Sequence, residues 1–152
     1  MLGTEYLTTF DGSLLPISNF EGCLFILFFT KSGSRKCFDI LCDLKSNNIE
    51  RSFTNIIFVH VSMDTTFHAW DSCVKNPNWL QFPYYPVNVR KRLFKRYRVD
   101  RLPFMVACSD DNQSIVFPPT LNDLSSLEYV DFIATEVSYY TNLFSIDDFV
   151  IL

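Results

Sequence analysis

Nowhere in the 152 residues do two cysteines stand at Cys-x-x-Cys spacing, and the chain holds only two histidines, His60 and His68. The five cysteines (Cys23, Cys37, Cys42, Cys73 and Cys108) are odd in number and scattered, which argues against a secreted disulfide scaffold. The histidines lie at no ligand spacing to them, so no metal site is expected, and no cofactor. No apolar run reaches the roughly 18 residues of a membrane span. The opening residues, MLGTEYLTTFDGS, carry no basic n-region, no long apolar stretch and no Arg-rich amphipathic pattern. The expectation is a cytoplasmic or otherwise intracellular protein without a membrane association. There are no internal repeats and no low-complexity segments.

Aromatic and apolar residues are plentiful. Apolar content is 48%, aromatic content 16%, and the sixteen phenylalanines exclude a disordered chain. At this length the sequence makes one domain, with room for a sizeable core and a C-terminal extension. Net charge is −4, but its distribution says more than its size. Arg90, Lys91, Arg92, Lys95, Arg96, Arg98 and Arg101 place seven of the thirteen basic residues within twelve positions. From Leu102 to Leu152 there are eight acidic residues and no basic ones. Such lopsidedness steers association and orients a docking partner.

The stretch that organises the chain is Phe28 to Leu41, FFTKSGSRKCFDIL. An apolar run, Cys23–Phe29, fits a central strand buried on both faces. It ends in Thr30-Lys31-Ser32-Gly33, and a helix follows over 35–47 with Cys37 in its first turn. Phe38, Leu41, Cys42 and Leu44 are expected to share its inward face. A cysteine at a helix N-terminus is favoured as thiolate by unpaired N–H groups and by the helix dipole, and Arg35 and Lys36 stand beside it. Cys37 is therefore the candidate for chemistry. The competing reading is a half-buried, inert thiol. Ser34 reads as the helix N-cap. No Gly-x-Ser-x-Gly elbow surrounds it, which sets aside a hydrolase built with His60 or His68. Cys23 and Cys108 fall in strand-like runs and read as buried thiols. Cys73 reads as a helix-face thiol, and His60 as a hydrogen-bonded core histidine.

Along the rest of the chain, Glu5–Thr9 and Leu14–Ile17 flank Asp11-Gly12 as a hairpin. Asn55–Ser62 is a second buried strand. Residues 65–75 form a short helix with Phe67, Trp70 and Val74 at i, i+3 and i+7, and 76–83 an irregular aromatic loop with Trp79 and Phe82. An exposed aromatic in this region would be a protein-binding anchor. Residues 87–96 form the basic helix, with Val89, Leu93 and Phe94 inward and the charges on a solvated face. Phe104–Cys108 and Ser114–Phe117 make a hairpin around Asp110-Asp111-Asn112. After Pro118-Pro119, Leu124–Leu143 is a long helix with Leu127, Val130, Phe132, Ile133, Val137 and Tyr140 apolar, followed by an apolar tail. The fold class is α/β, a mixed sheet with helices on both faces. The division is 1–120 for the domain and 121–152 for a helix and tail packed on the domain or on a partner.

Several landmarks together carry a resemblance. They are the Asp11-Gly12 hairpin, the strand Leu24–Phe29, the turn Ser32–Cys37, and the strand Ile56–Ser62 with Asp64 after it. Beyond these stand the Phe67-His68 helix, Asn78-Trp79-Leu80 leading to Phe82-Pro83, and Tyr97-Arg98-Val99-Asp100-Arg101-Leu102-Pro103-Phe104. From about Gly3 to Phe117 the chain resembles the tryparedoxin/nucleoredoxin branch of the thioredoxin-like fold, a three-layer sandwich with a mixed central sheet. In that family the turn reads Trp-Cys-Pro-Pro-Cys, and a later cis X-Pro bond helps hold an extended substrate backbone. The resemblance implies a cis Leu102–Pro103 bond. It also implies a binding surface around Gly33, Arg35, Lys36, Leu102, Pro103 and Trp79.

The departures matter as much as the matches. Gly33 stands at the Trp position, Ser34 at that of the nucleophilic cysteine, and Arg35-Lys36 at the two prolines. Cys37 alone matches, at the resolving position. A serine hydroxyl forms no disulfide, and exchange needs a thiolate attacker and a second thiol. The simultaneous loss of Trp and both prolines points to natural divergence rather than a trapping substitution. The leading reading is a redox-inactive member that binds proteins, as a subunit of a larger assembly. The alternative is a monothiol oxidoreductase or redox sensor working through Cys37. RNA binding through 90–101 ranks below both, given a pI near 5.0.

Overall fold

The computed structural model describes residues 2–47, 56–73, 78–109, 114–117 and 123–133. Its frame is a seven-stranded mixed sheet among the described residues, in the order β2-β1-β5-β4-β3-β6-β7. The central strand, β3 (Leu24–Thr30), is buried at all seven positions. It pairs in parallel with β4 (Ile56–Ser62), Phe28 opposite His60 and Thr30 opposite Ser62, and antiparallel with β6 (Phe104–Cys108). At one edge β1 (Tyr6–Thr8) and β2 (Leu14–Pro16) form the hairpin that Asp11-Gly12 signalled, with Gly12 at φ 89°. At the other, β6 pairs with β7 (Ser114–Val116). Asp110-Asp111-Asn112 between them, Pro118-Pro119, Val74 and residues 134–152, with Val137, Tyr140 and the apolar tail, lie outside the described residues.

Strand alternation divides the core in two. Leu24, Ile26 and Phe28 face one layer with Phe58, Met105 and Ala107, covered by Ile40, Leu41 and Leu44 of α1 (Arg35–Asn47). Phe25, Leu27 and Phe29 face the other with Val59, Val61 and Val106, covered by Leu93 of α3 (Val87–Arg96), with Val89 and Phe94 packed beside it. Helices thus cover both faces of the sheet, as the doubly apolar strands require. Residues 126–133 are helical, and Tyr129, Val130 and Ile133 join the α1-side cluster. Ser126 Oγ also donates to Asp43 Oδ2 on α1 at 2.5 Å.

Four expectations are corrected. The loop 76–83 contains a strand, β5 (Leu80–Gln81), parallel to β4 and antiparallel to β1. Two residues are too few to show a period, and one of them is a buried glutamine. The buried stripe of α1 is Cys37, Ile40, Leu41 and Leu44. That is i, i+3, i+4, i+7 spacing, and it leaves Phe38 48% exposed and Cys42 half-buried. In the same way Tyr129 is buried where Leu127 is exposed. Finally, Arg90 is not part of a surface patch. It lies one turn before Leu93 and Phe94, is 2% exposed, and sets its guanidinium 4.5 Å from the Tyr84 ring centre. Lys91, Arg92, Lys95, Arg96, Arg98 and Arg101 are exposed.

The short helix α2 (Phe67–Ser72) is narrower than expected, opened by Thr66, whose hydroxyl accepts the Ala69 N–H. Trp70 is buried, its indole N–H donating to the Phe82 carbonyl (3.3 Å), whereas Phe67 is half exposed.

Candidate functional site

The carboxyl ends of β3 and β4 are adjacent, and the loops leaving them carry the site, as open parallel sheets place ligand crevices. A carboxylate ties the two loops. Asp64, 2% exposed, accepts the Ser32 N–H (3.1 Å), the Ser32 hydroxyl (2.6 Å) and the Ser62 hydroxyl (2.6 Å). Burial alone would raise its pKa. The Ser32 and Ser62 hydrogen bonds and the nearby His60 outweigh burial and hold the carboxyl below its ordinary range. Asp64 entered the sequence reading only as a landmark. Its role was hidden because Ser32, the partner that ties the two loops, lies 32 residues earlier in the chain.

Gly33 turns the chain at φ 84°, a conformation that suits glycine. Ser34 then caps α1, its Oγ accepting the Cys37 N–H at 3.3 Å. Cys37 is 1% exposed and points into the core cluster side of α1. Burial pushes its thiol up, against smaller opposing hydrogen bonds from Ser34 and the Lys31 backbone, and Asp64 adds the least, also upward. The thiolate expected of a helix N-terminus is therefore overridden by desolvation. The flanking cations do not rescue it. Arg35 pairs with Asp39 (3.1 Å) on the exposed face, and the Lys36 ammonium donates to the Leu124 carbonyl.

A cavity of about 190 Å³ opens at this turn, lined among others by Lys31, Gly33, Ser34, Cys37, Phe38 and Cys73. The structure thus brings Gly33, Ser34 and Cys37 together and adds Cys73, which the sequence marked only as a helix-face thiol. Behind Cys73 stands His60. Its Nε2 lies 3.7 Å from the Cys73 sulfur and is hydrogen-bonded to the Thr30 hydroxyl. His60 is 3% exposed and hydrogen-bonded, as a core histidine should be.

The other expected binding residues are dispersed. Trp79 is 2% exposed, stacked on Phe58 with ring centres 5.1 Å apart, and supports the core rather than a surface. Leu102 packs against the α3-side cluster, and Pro103 is buried. The Leu102–Pro103 bond is cis, as is Tyr85–Pro86. Exposed aromatics in this part of the molecule are Tyr85 (66%) and Phe67 (50%), stacked at 6.4 Å. Among the described residues no group of His, Cys, Asp and Glu could hold a metal ion, and no helix is long and apolar enough to cross a membrane.

Comparison with solved structures places this geometry. Thioredoxin from Wuchereria bancrofti superposes with a TM-score of 0.69 at 18% identity, over 94% of this chain and 96% of that one. Native tryparedoxin I from Crithidia fasciculata gives 0.68 at 18% identity over 88% and 90%. Tryparedoxin from Trypanosoma brucei gives 0.66 at 16% identity over 89% and 90%. At these identities the likeness speaks for the fold. No curated protein matches the chain in sequence. A family model described as thioredoxin-like matches residues 22–114, from just before the central strand to the start of β7. That span is more than half of the sequence and holds the turn, the Asp64 clamp and α3, and the chain belongs to the thioredoxin-like family.

Proposed function

We propose that this chain is a thioredoxin-like domain that binds protein partners, as a subunit of an assembly, and does not run dithiol exchange at its Ser34–Cys37 turn. The observation that carries the reading is Cys37 itself. It is 1% exposed, its thiol is pushed up by burial, and the residue three positions before it is a capping serine. No thiolate attacker stands at the position where the fold presents one, and the remaining thiol is not offered to a substrate. The same burial counts against a monothiol enzyme or sensor working through Cys37. Protein binding is supported by the exposed Phe67–Tyr85 pair, since large aromatics at the surface serve as interface anchors. The six exposed cations on and after α3 supply an orienting charge.

The test is turnover of a disulfide-bonded protein such as insulin by the full chain and by its Ser34→Cys variant. The parent is expected to show no turnover, while the variant, with an attacker restored ahead of Cys37, gains it. Catalytic turnover by the parent that Cys37→Ser abolishes would overturn the proposal. Alanine at Phe67 and Tyr85 is expected to weaken partner capture by tenfold or more, without loss of fold.

A further inference from the structure

We propose that Cys73, paired with His60, is a thiol-modification site that takes up one half of a small-molecule disulfide of the glutathione class. The thiol lies at the C-terminal end of α2, is half-buried, and lines the cavity beside Gly33 and Ser34. Its sulfur is 3.7 Å from His60 Nε2 and 4.0 Å from the Thr30 hydroxyl. A thiol against an imidazole is the arrangement that yields a thiolate, because the ring nitrogen takes the proton and the resulting imidazolium stays in place to stabilise the sulfur anion. Burial of His60, 3% exposed, opposes that charge state, and neighbouring groups work against the burial. Asp64, on the loop after β4, is electrostatically coupled to His60 and favours the imidazolium. Thr30 on β3 is hydrogen-bonded to the same Nε2 and can solvate the thiolate. Lys31 lines the cavity and offers a cation to an anionic reagent, and Cys37 on α1, the other thiol of the cavity, is buried and raised.

The cavity volume of about 190 Å³ is below the roughly 300–1,000 Å³ of sites that enclose a drug-sized ligand. It suits the sulfur-bearing end of a tripeptide thiol, with the remainder outside. The reaction is one exchange. The Cys73 thiolate attacks a sulfur of the disulfide, that S–S bond breaks, and a new S–S bond forms to Cys73. The departing thiolate takes the proton from the His60 imidazolium, so one thiol and one disulfide enter and one thiol and one disulfide leave. Cys37, the other thiol lining the cavity, is buried, so the adduct is expected to accumulate once per chain without turnover.

The experiment treats the full chain with oxidised glutathione and follows intact mass and the peptide carrying the adduct. One glutathionyl group on Cys73 is expected, and none on the Cys73→Ser variant under the same conditions. The parent's rate should change little between pH 6.5 and 8, whereas an ordinary thiol accelerates toward its pKa of about 8.5. His60→Gln should slow the reaction about tenfold or more near neutrality and restore the ordinary thiol profile. Unfolding of that variant would expose thiols and speed the reaction, so it cannot imitate the expected slowing. An ordinary pH profile in the parent, or an undiminished rate in His60→Gln, would overturn the proposal. An adduct mapped to Cys42 would overturn this inference alone. One mapped to Cys37 would also overturn the reading of a shielded turn.

Discussion

The hydroxyl at position 34 has a structural job. The Ser34 hydroxyl accepts the Cys37 N–H and so satisfies one of the donors that every helix start leaves open. Ser34→Ala is expected to cost about 1 kcal/mol, read as a lower urea midpoint with an unchanged slope. Gly33 is constrained differently. A Cβ there meets no atom within 4 Å, so the cost of Gly33→Ala comes from the backbone at φ 84° and should reach about 1–2 kcal/mol. Asp64 gives the sharpest residue-scale prediction, because its carboxyl is held below the ordinary range in the fold. Its contribution is complete above the unfolded carboxyl pKa, near 3.9, and is lost as pH falls through the lower folded value. Asp64→Asn should therefore be less stable than the parent at pH 7, by about 1–3 kcal/mol. Its stability should then fall less steeply below pH 4, so that the two chains approach each other in acid. Urea midpoints at pH 7 and pH 3 measure both parts. Equal acid sensitivity in the two chains would remove Asp64 from the account.

At the scale of elements, the strands and helices were legible wherever the apolar pattern was long. The unbroken apolar run Cys23–Phe29 fits a strand buried on two faces, which β3 is, and the helix expected over 87–96 is α3. Phase was harder to read than existence. In α1 two overlapping stripes were available, one through Phe38 and Cys42 and one through Cys37 and Ile40. Only docking against β3 selects the second. In α3 the neighbours Arg90 and Lys91 look alike in sequence and differ completely in surroundings. Arg90 is buried, donates to the Ser62 carbonyl (3.1 Å) and lies on Tyr84, while Lys91 is exposed. Arg90→Ala should destabilise by about 2 kcal/mol or more, and Lys91→Ala by no more than about 0.5 kcal/mol. Thermal melts of the two variants decide it, and similar small shifts would mean that the buried guanidinium contributes nothing beyond its stem.

For the whole molecule, the Ser34–Cys37 turn could be read because its residues are consecutive. The Thr30–His60–Cys73 group could not, because β3, β4 and the end of α2 contribute one residue each and only the parallel pairing of β3 with β4 makes them neighbours. The same distinction applies to the C-terminal part of the chain. Tyr129, Val130 and Ile133 come far from β3 in sequence, yet they close the α1-side core, with the Tyr129 ring edge-on to Phe28 at 6.0 Å. Burying three such side chains is worth roughly 5–9 kcal/mol as an upper bound, comparable to the roughly 5–15 kcal/mol by which a domain is stable at all. A chain ending at residue 123 is therefore expected not to hold the fold. Trp79, buried beside Phe28 and Phe58, reports on this directly. With Trp70→Phe leaving Trp79 as the one indole, the full-length chain's fluorescence should be that of a buried indole, and in the truncated chain it should shift to the red, with loss of a cooperative melt. A truncated chain that melts cooperatively with unshifted emission would show that the sheet and its first three helices close the core by themselves.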